Sequence, residues 1–370
     1  MTERAVRQLL ERTPVDREVE GRAWEVVRAA YAAREPVPRR PRLRLAVGVA
    51  LAGAALAAAV LSPPGRAVVD AVRRSVGLEH AQPALFRLPA PGRLLVSGPG
   101  GAWLVAGDGS MRRLGAYRQA AWSPHGLFVV GATGDELTAL DPSGRIHWQL
   151  ARPGVRFPRW GGSLTDTRVA YLSGGRLHVV AGDGTGDARA CGEPAAGRVA
   201  PAWRPGPRHV LAFVTARGRV TVLDTDTCTL LWRSAPYAPR PRLMTWSPDG
   251  SRLAVATAGG LWLVDGRTGA ALGVSMPGIR ALGYARDGRL AAIRRRSLVL
   301  VEPDGRTRTL FAGPAPLAGL AWSPNGRWLL TSMPAADQWV FVGAHRVLPV
   351  SNIRTQFGGP ASLDGWAPGA

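Results

Sequence analysis

The chain has 370 residues, 46% hydrophobic and 20% charged, which is enough for a large folded domain with additional segments. Its formal net charge is +21, and none of its 47 basic residues is a lysine. Arginine without lysine is typical of GC-rich codon usage, so we interpret the excess as compositional and do not expect nucleic acid as a partner. The alternative is a true anionic partner, such as lipid headgroups or a wall polymer.

Residues 1–44 are predicted to form a short cytoplasmic helical segment, with helices over 3–12 and 16–34. Apolar residues such as Val19, Val26 and Val27 fall on one face of the second helix. A helix this short does not bury that face by itself. We therefore expect it to lie at a membrane surface or to dimerise, and the alternative is a docking site for a cytoplasmic regulator.

Residues 45–62 are predicted to be a transmembrane helix. The run 45–61 contains 17 apolar residues without a charge, which is the lower limit for a span. The preceding 44 residues are too many for a signal peptide, and arginines crowd the N-terminal flank of the run. We therefore expect a single-pass protein of the cell membrane, with a cytoplasmic N-terminus and an extracytoplasmic C-terminal part. Residues 63–84 are predicted to be a juxtamembrane helix and linker.

A repeat dominates residues 85–370. Seven aromatic residues recur at intervals of 38 to 44, and three of them begin nearly identical turns, such as Trp246-Ser-Pro-Asp-Gly250. Apolar strands follow each turn, such as those predicted over 127–130 and 328–330, so every repeat predicts a four-stranded sheet that must stack on its neighbours. The pattern indicates an all-β, seven-bladed propeller. The seven aromatic residues are Trp122, Trp160, Trp203, Trp246, Tyr284, Trp322 and Trp366.

The two ends of this region complement each other. Residues 85–118 contain the later strands of a blade without a Trp-Ser-Pro turn, whereas the chain stops at such a turn around Trp366. We therefore predict that the last strand closes the ring by pairing near Leu94. A disulfide between Cys191 and Cys228, which are 37 residues apart, remains open, because outer strands of neighbouring blades are often too distant to bridge.

The Trp-Ser-Pro-Asp-Gly turn followed by Ser-Arg-Leu-Ala-Val-Ala resembles the WD40-like repeats of TolB-type propellers. The segment Asp224–Trp232 resembles the repeat of quinoprotein-type propellers, with Cys228 in place of the usual glycine. The whole arrangement resembles membrane-anchored propeller proteins of GC-rich Gram-positive bacteria. These resemblances imply a propeller outside the cytoplasm and do not by themselves imply a quinone cofactor.

The sequence contains no catalytic signature that we recognise, so we predict no enzyme activity, no cofactor and no metal. The six histidines lack metal spacing, and Gly182–Gly186 is predicted to be a hairpin turn instead of a phosphate loop. One charged cluster, Arg294-Arg295-Arg296, lies between two predicted strands and is a candidate patch for an anionic partner. Otherwise these arginines are solvated turn residues.

Three functions are compatible with these features. The first is a non-enzymatic, membrane-anchored scaffold that binds a protein or small ligand at a propeller rim. The second is a transmembrane regulator whose N-terminal helices bind a cytoplasmic partner such as a sigma factor. The third, which we favour least, is a quinoprotein-type enzyme.

Overall fold

The computed structural model describes residues 87–191 and 193–369, so the predicted segments 1–44, 45–62 and 63–84 lie outside the described residues. The described part is built almost entirely of β-strands, which form seven antiparallel sheets of four strands each. None of the helices in this part could span a bilayer. The predicted seven-bladed propeller with four-stranded blades is confirmed.

Six blades consist of four consecutive strands, and the first strand of each lies at the centre of the ring. Blades 2 to 4 comprise β4 (Gln119–Trp122), β5 (Val129–Ala132), β6 (Glu136–Leu140), β7 (Ile146–Ala151); β8 (Arg156–Gly162), β9 (Thr167–Ser173), β10 (Arg176–Ala181), β11 (Ala188–Arg189); and β12 (Ala202–Trp203), β13 (Val210–Val214), β14 (Arg219–Asp224), β15 (Leu230–Pro236). Blades 5 to 7 comprise β16 (Leu243–Trp246), β17 (Arg252–Ala256), β18 (Leu261–Asp265), β19 (Ala271–Val274); β20 (Ile279–Tyr284), β21 (Leu290–Arg294), β22 (Ser297–Val301), β23 (Thr307–Ala312); and β24 (Ala318–Trp322), β25 (Leu329–Met333), β26 (Gln338–Val342), β27 (Val347–Ser351).

Blade 1 joins the two ends of the propeller. Its three outer strands are β1 (Arg93–Gly98), β2 (Gly101–Val105) and β3 (Met111–Gly115), and its innermost strand is β28 (Ser362–Ala367). Trp366 lies opposite Leu94 in the antiparallel pair of β28 and β1, which confirms the predicted closure. Closure covers the inner edge of β1 and gives blade 1 the same four strands as the other blades.

Two short helices were not anticipated from the sequence. A 3-10 helix spans Pro334–Ala336, and α1 spans Ile353–Phe357 in the connection from blade 7 to blade 1. Phe357 is buried and stacks on Trp339, with ring centroids 5.0 Å apart. The α1 helix therefore adds apolar packing at the junction where the ring closes.

The core is divided among the interfaces between neighbouring blades. Each of seven apolar clusters lies between two adjacent blades, and together they continue around the ring. In β13, Val210, Ala212 and Val214 pack toward blade 5, whereas Leu211 and Phe213 pack toward blade 3. Both faces of each middle strand are buried, and this explains why these strands are continuously apolar.

Tryptophans of the repeat also bond one blade to the next. The indole N–H groups of Trp203, Trp246 and Trp322 donate to backbone carbonyls of the preceding blade, at 2.9 to 3.0 Å. In the fourth strands, Trp148 and Trp232 donate to carbonyls of the following blade, at 2.8 and 3.0 Å. The aromatic spacing in the sequence therefore corresponds to a repeated contact between blades.

Two of the three Trp-Ser-Pro turns are longer than the sequence suggested. Strands were expected to begin at Leu127 in blade 2 and Trp328 in blade 7, but they begin at Val129 and Leu329. The cause is the turn serine: the Ser123 hydroxyl accepts the Phe128 N–H at 2.9 Å, which holds residues up to 128 in the turn. Leu127 consequently remains 48% exposed instead of entering the core.

Candidate binding surfaces

The ring has two faces with different loops. The hairpin face contains the turns between first and second strands and the hairpins between third and fourth strands; the crossover face contains the loops between second and third strands and the connections between blades. Both ends of the described chain lie on the hairpin face. Leu88 donates to the Gly107 carbonyl of a hairpin at 3.0 Å, and β28 ends at Ala367 against the turn glycine Gly126.

Aspartates of the hairpin face stabilise its turns. Each of eight accepts a hydrogen bond from the backbone N–H two residues ahead, the geometry of an Asx turn. The Ser143 and Ser247 hydroxyls lower the pKa of Asp141 and Asp249, respectively, to about 2. Turn formation therefore explains why aspartate recurs at these eight positions. The eight are Asp108, Asp141, Asp183, Asp224, Asp249, Asp265, Asp287 and Asp304.

A cleft of about 820 Å³ opens on the hairpin face between blades 5 and 6. Its charged groups bond mainly to one another and to backbone. Arg289 pairs with Asp287 at 2.6 Å, donates to the Gly326 carbonyl and lies over the Trp322 ring, while Arg252 donates to the Pro303 carbonyl. These contacts hold the cleft walls in place and neutralise much of their charge.

Arg294, Arg295 and Arg296, the patch predicted from sequence, lie on the crossover face of blade 6 and are all exposed. The Arg294 and Arg296 guanidinium groups donate to the carbonyls of Pro277 and Pro314, at 3.2 and 3.4 Å. These bonds attach the β21–β22 loop to the two connections that flank blade 6. Each guanidinium retains further N–H donors that are available to an anion. The role of this patch in binding an anionic partner stays a prediction. Arg289 lies apart from the patch, in the hairpin-face cleft.

The central channel contains a charged pair that the sequence did not reveal. Asp364 of β28 and Arg159 of β8 line the same cavity of about 510 Å³. Burial raises the pKa of Asp364 to about 7. A hydrogen bond from Ser97 and the positive charge of Arg159 act in the opposite direction and lower this pKa. Burial likewise lowers the pKa of Arg159. Asp364 is the extra residue at a bulge between β28 and β1, and the first strands of blades 3, 6 and 7 also shift register against their second strands.

The histidines take mostly structural positions. His125 is exposed in the Trp-Ser-Pro turn of blade 2, as expected. His209 is buried, with Nδ1 2.5 Å from the Asp226 carboxylate and Nε2 3.3 Å from the Asp166 carbonyl, and so connects blades 3 and 4. Among the described residues, no group of three or more His, Cys, Asp or Glu side chains has the arrangement of a metal site.

Cys191 and Cys228 form a disulfide, with Cα atoms 5.6 Å apart. The last strand of blade 3, β11, is only two residues long, and the chain after it approaches the β14–β15 hairpin of blade 4. Cys228 adopts a positive φ of 59° at the position where the quinoprotein-type repeat has glycine. The sequence left this pairing open because it did not define the path after β11.

No family model and no curated protein matches the chain. Solved structures do. A putative 6-phosphogluconolactonase from Bacteroides uniformis is 16% identical, with a TM-score of 0.50 over 71% of this chain and 98% of the other. The β-propeller domain of Cps50 (Swd1) from Myceliophteria thermophila is 14% identical, with a TM-score of 0.51 over 64% and 87% of the two chains. A chain of a mitotic checkpoint complex is also 14% identical, with a TM-score of 0.51 over 62% and 74%.

At these identities, the comparisons establish the fold alone. They confirm the WD40-like propeller expected from the repeats. One neighbour is named as an enzyme, and another belongs to a protein complex. The shared fold therefore does not distinguish catalysis from binding, and any argument about function must rest on the surface residues of this chain.

Proposed function

We propose that this chain is a non-enzymatic binding scaffold of the TolB-like kind, anchored in the cell membrane by residues 45–62, with its propeller outside the cytoplasm. The observation that best supports this proposal is the disulfide between Cys191 and Cys228. Disulfides form and persist mainly in oxidising compartments. The arginines before the apolar run favour the same orientation.

The position of the described chain ends bears on which face of the propeller binds a partner. The polypeptide enters and leaves the ring on the hairpin face, next to Gly107 and Gly126. The chain that precedes Arg87 therefore joins the propeller on that face. We propose that the partner, a protein or a smaller ligand, binds at the rim of the crossover face.

The proposal is tested with the full chain expressed in bacterial cells. Protease added to spheroplasts should remove the propeller, and non-reducing peptide mapping should recover the Cys191–Cys228 linked pair. A Cys228→Ser variant serves as the control, because it should lose the linked peptides and keep the same protease sensitivity. A propeller that resists protease until lysis, with thiols that react with alkylating reagent only after lysis, would refute the extracytoplasmic location.

A further inference from the structure

A second arginine cluster lies on the crossover face, in a groove between blades 4 and 5. The groove has a volume of about 630 Å³. Three exposed arginines line it: Arg198 from the connection between blades 3 and 4, and Arg240 and Arg242 from the connection between blades 4 and 5. The remaining lining residues are small or apolar, and none is acidic.

The backbone around this groove is held in place before any ligand binds. Arg240 and Arg242 alternate with prolines in the segment Pro239–Arg242, and proline restricts φ. The Arg242 N–H donates to the Ala256 carbonyl at 2.8 Å, and the Tyr237 N–H donates to the Gly218 carbonyl at 3.0 Å. Restricting these residues in advance lowers the entropy that binding would otherwise cost.

The loop that contains Arg198 is also restrained. The Ala196 N–H donates to the Val214 carbonyl of β13 at 2.7 Å, and the Val199 N–H donates to the Ala196 carbonyl at 3.3 Å. Arg198 thus extends from a short turn fixed to blade 4. The three guanidinium groups come from two connections that are both bonded to the sheets.

The charge in the groove is uncompensated. Within the described part of the chain, Arg198, Arg240 and Arg242 form no ion pair with a carboxylate. On the hairpin face, in contrast, the turn aspartates place carboxylates near many arginines, as in the Arg306–Asp304 pair at 2.7 Å. Like charges held together at a rigid site repel one another, and a bound anion relieves that repulsion.

The predicted patch lies on the same face, beyond the β17–β18 loop. Pro239 lies against Gly259 in the β17–β18 loop, and Gly278, in the connection to blade 6, lies against the Arg295 side chain. The intervening β17–β18 loop consists of small residues, Thr257 to Gly260, so no bulky side chain rises from it. Exposed arginines therefore lie along the crossover face from blade 4 to blade 6.

We propose that this groove, defined by Arg198, Arg240 and Arg242, binds a linear anionic polymer whose repeating units bear phosphate or carboxylate groups. The planar guanidinium fork matches both oxyanions and bonds to them in a bidentate manner. The extent of the arginines over three blades favours a polymer over a single small anion. The inference deepens the proposed binding role, but it does not depend on membrane topology.

The test uses the full chain purified in detergent and three probes: long-chain inorganic polyphosphate, triphosphate and polygalacturonate. The variant R198Q/R240Q/R242Q removes the groove charges. The variant R267Q/R327Q/R346Q removes three exposed hairpin-face arginines that form no ion pair among the described residues, and it is the charge-matched control. We expect a long polymer to bind more tightly than triphosphate. The groove variant should weaken that binding by about tenfold or more, and the control by no more than about twofold.

Preference for polyphosphate or for polygalacturonate identifies the oxyanion. Equal losses in both variants would show that binding follows net charge alone, and they would overturn the proposal. Unchanged affinity in the groove variant, or triphosphate binding as tight as polymer binding, would overturn it as well. Both variants should keep the thermal unfolding curve of the parent protein, because the exchanged side chains are exposed. None of these outcomes depends on whether the propeller is extracytoplasmic, so failure here is separable from failure of the proposed location.

Discussion

Deletion of residues 362–370 removes β28 and tests how the ring is closed. The deletion takes away the innermost strand of blade 1 and exposes the edge of β1, where Leu94, Leu95 and Val96 are now completely buried. It also removes Trp366, which is buried and contacts Phe341 edge-on with ring centroids 5.8 Å apart. Blades 1 and 7 thereby lose part of their shared core.

The expected loss of stability is large relative to the stability of a typical domain. A buried tryptophan removes on the order of 200 Å² from water, which at about 25 cal/mol per Å² corresponds to about 5 kcal/mol. The backbone pairing of β28 with β1 adds to this loss. Since folded domains are stable by only about 5–15 kcal/mol, the shortened chain should be unfolded or marginally stable at 25 °C.

Thermal and urea unfolding, followed by circular dichroism and tryptophan fluorescence, measure this loss, and size-exclusion chromatography detects association through the exposed β1 edge. Deletion of residues 368–370 is the matched control, because it removes the terminus beyond β28 and keeps the strand; its unfolding curve should match that of the parent. If the protein that lacks β28 unfolds at the same temperature as the parent, the closing strand does not stabilise the ring and our reasoning is wrong.

Two further predictions concern single residues. Trp203→Phe should destabilise the propeller by about 1 kcal/mol more than Trp160→Phe, because Trp203 Nε1 donates to a carbonyl whereas Trp160 Nε1 has no partner. Urea unfolding of both variants measures this difference. Equal losses of stability would contradict the prediction. Asp364 has a pKa of about 7, raised from 3.8, so its contribution to stability is lost as pH rises from about 4 to 7. At pH 8, Asp364→Asn should therefore raise the free energy of unfolding in urea by about 2 kcal/mol, a value that allows for solvent screening in the channel. The gain should vanish near pH 4, where the carboxyl is neutral in the folded protein. A gain that is independent of pH would contradict the assignment to this carboxyl.

The architecture was predictable because each blade is encoded locally. The Trp-Ser-Pro turn, the alternation of apolar residues and the hairpin that follows all lie within one repeat, so their physics is visible without knowing the neighbouring blades. The unmatched turn at Trp366 also indicated the closing strand. Strand limits shifted, as at Leu127, where a serine hydroxyl extends the turn, and two short helices were not anticipated.

The candidate sites were much less predictable. The patch of Arg294 to Arg296 was visible because its residues are consecutive, and the structure places it on the crossover face. Arg198 is more than forty residues away from Arg240 and Arg242 in the sequence, and only the bonding of two connections to blades 4 and 5 brings Arg198 near Arg240. No pattern in the sequence groups these three residues.

The sequence by itself determined the number of blades, their strand order and the closure, because these depend on local turn chemistry and on periodic burial. The tertiary structure alone decided that Cys191 reaches Cys228, that Asp364 faces the same channel as Arg159, and that Arg198 lines one groove with Arg240 and Arg242. Each of these features depends on distances between different blades. Such distances are set by ring closure and by the path of each connection, and neither leaves a pattern within a single repeat.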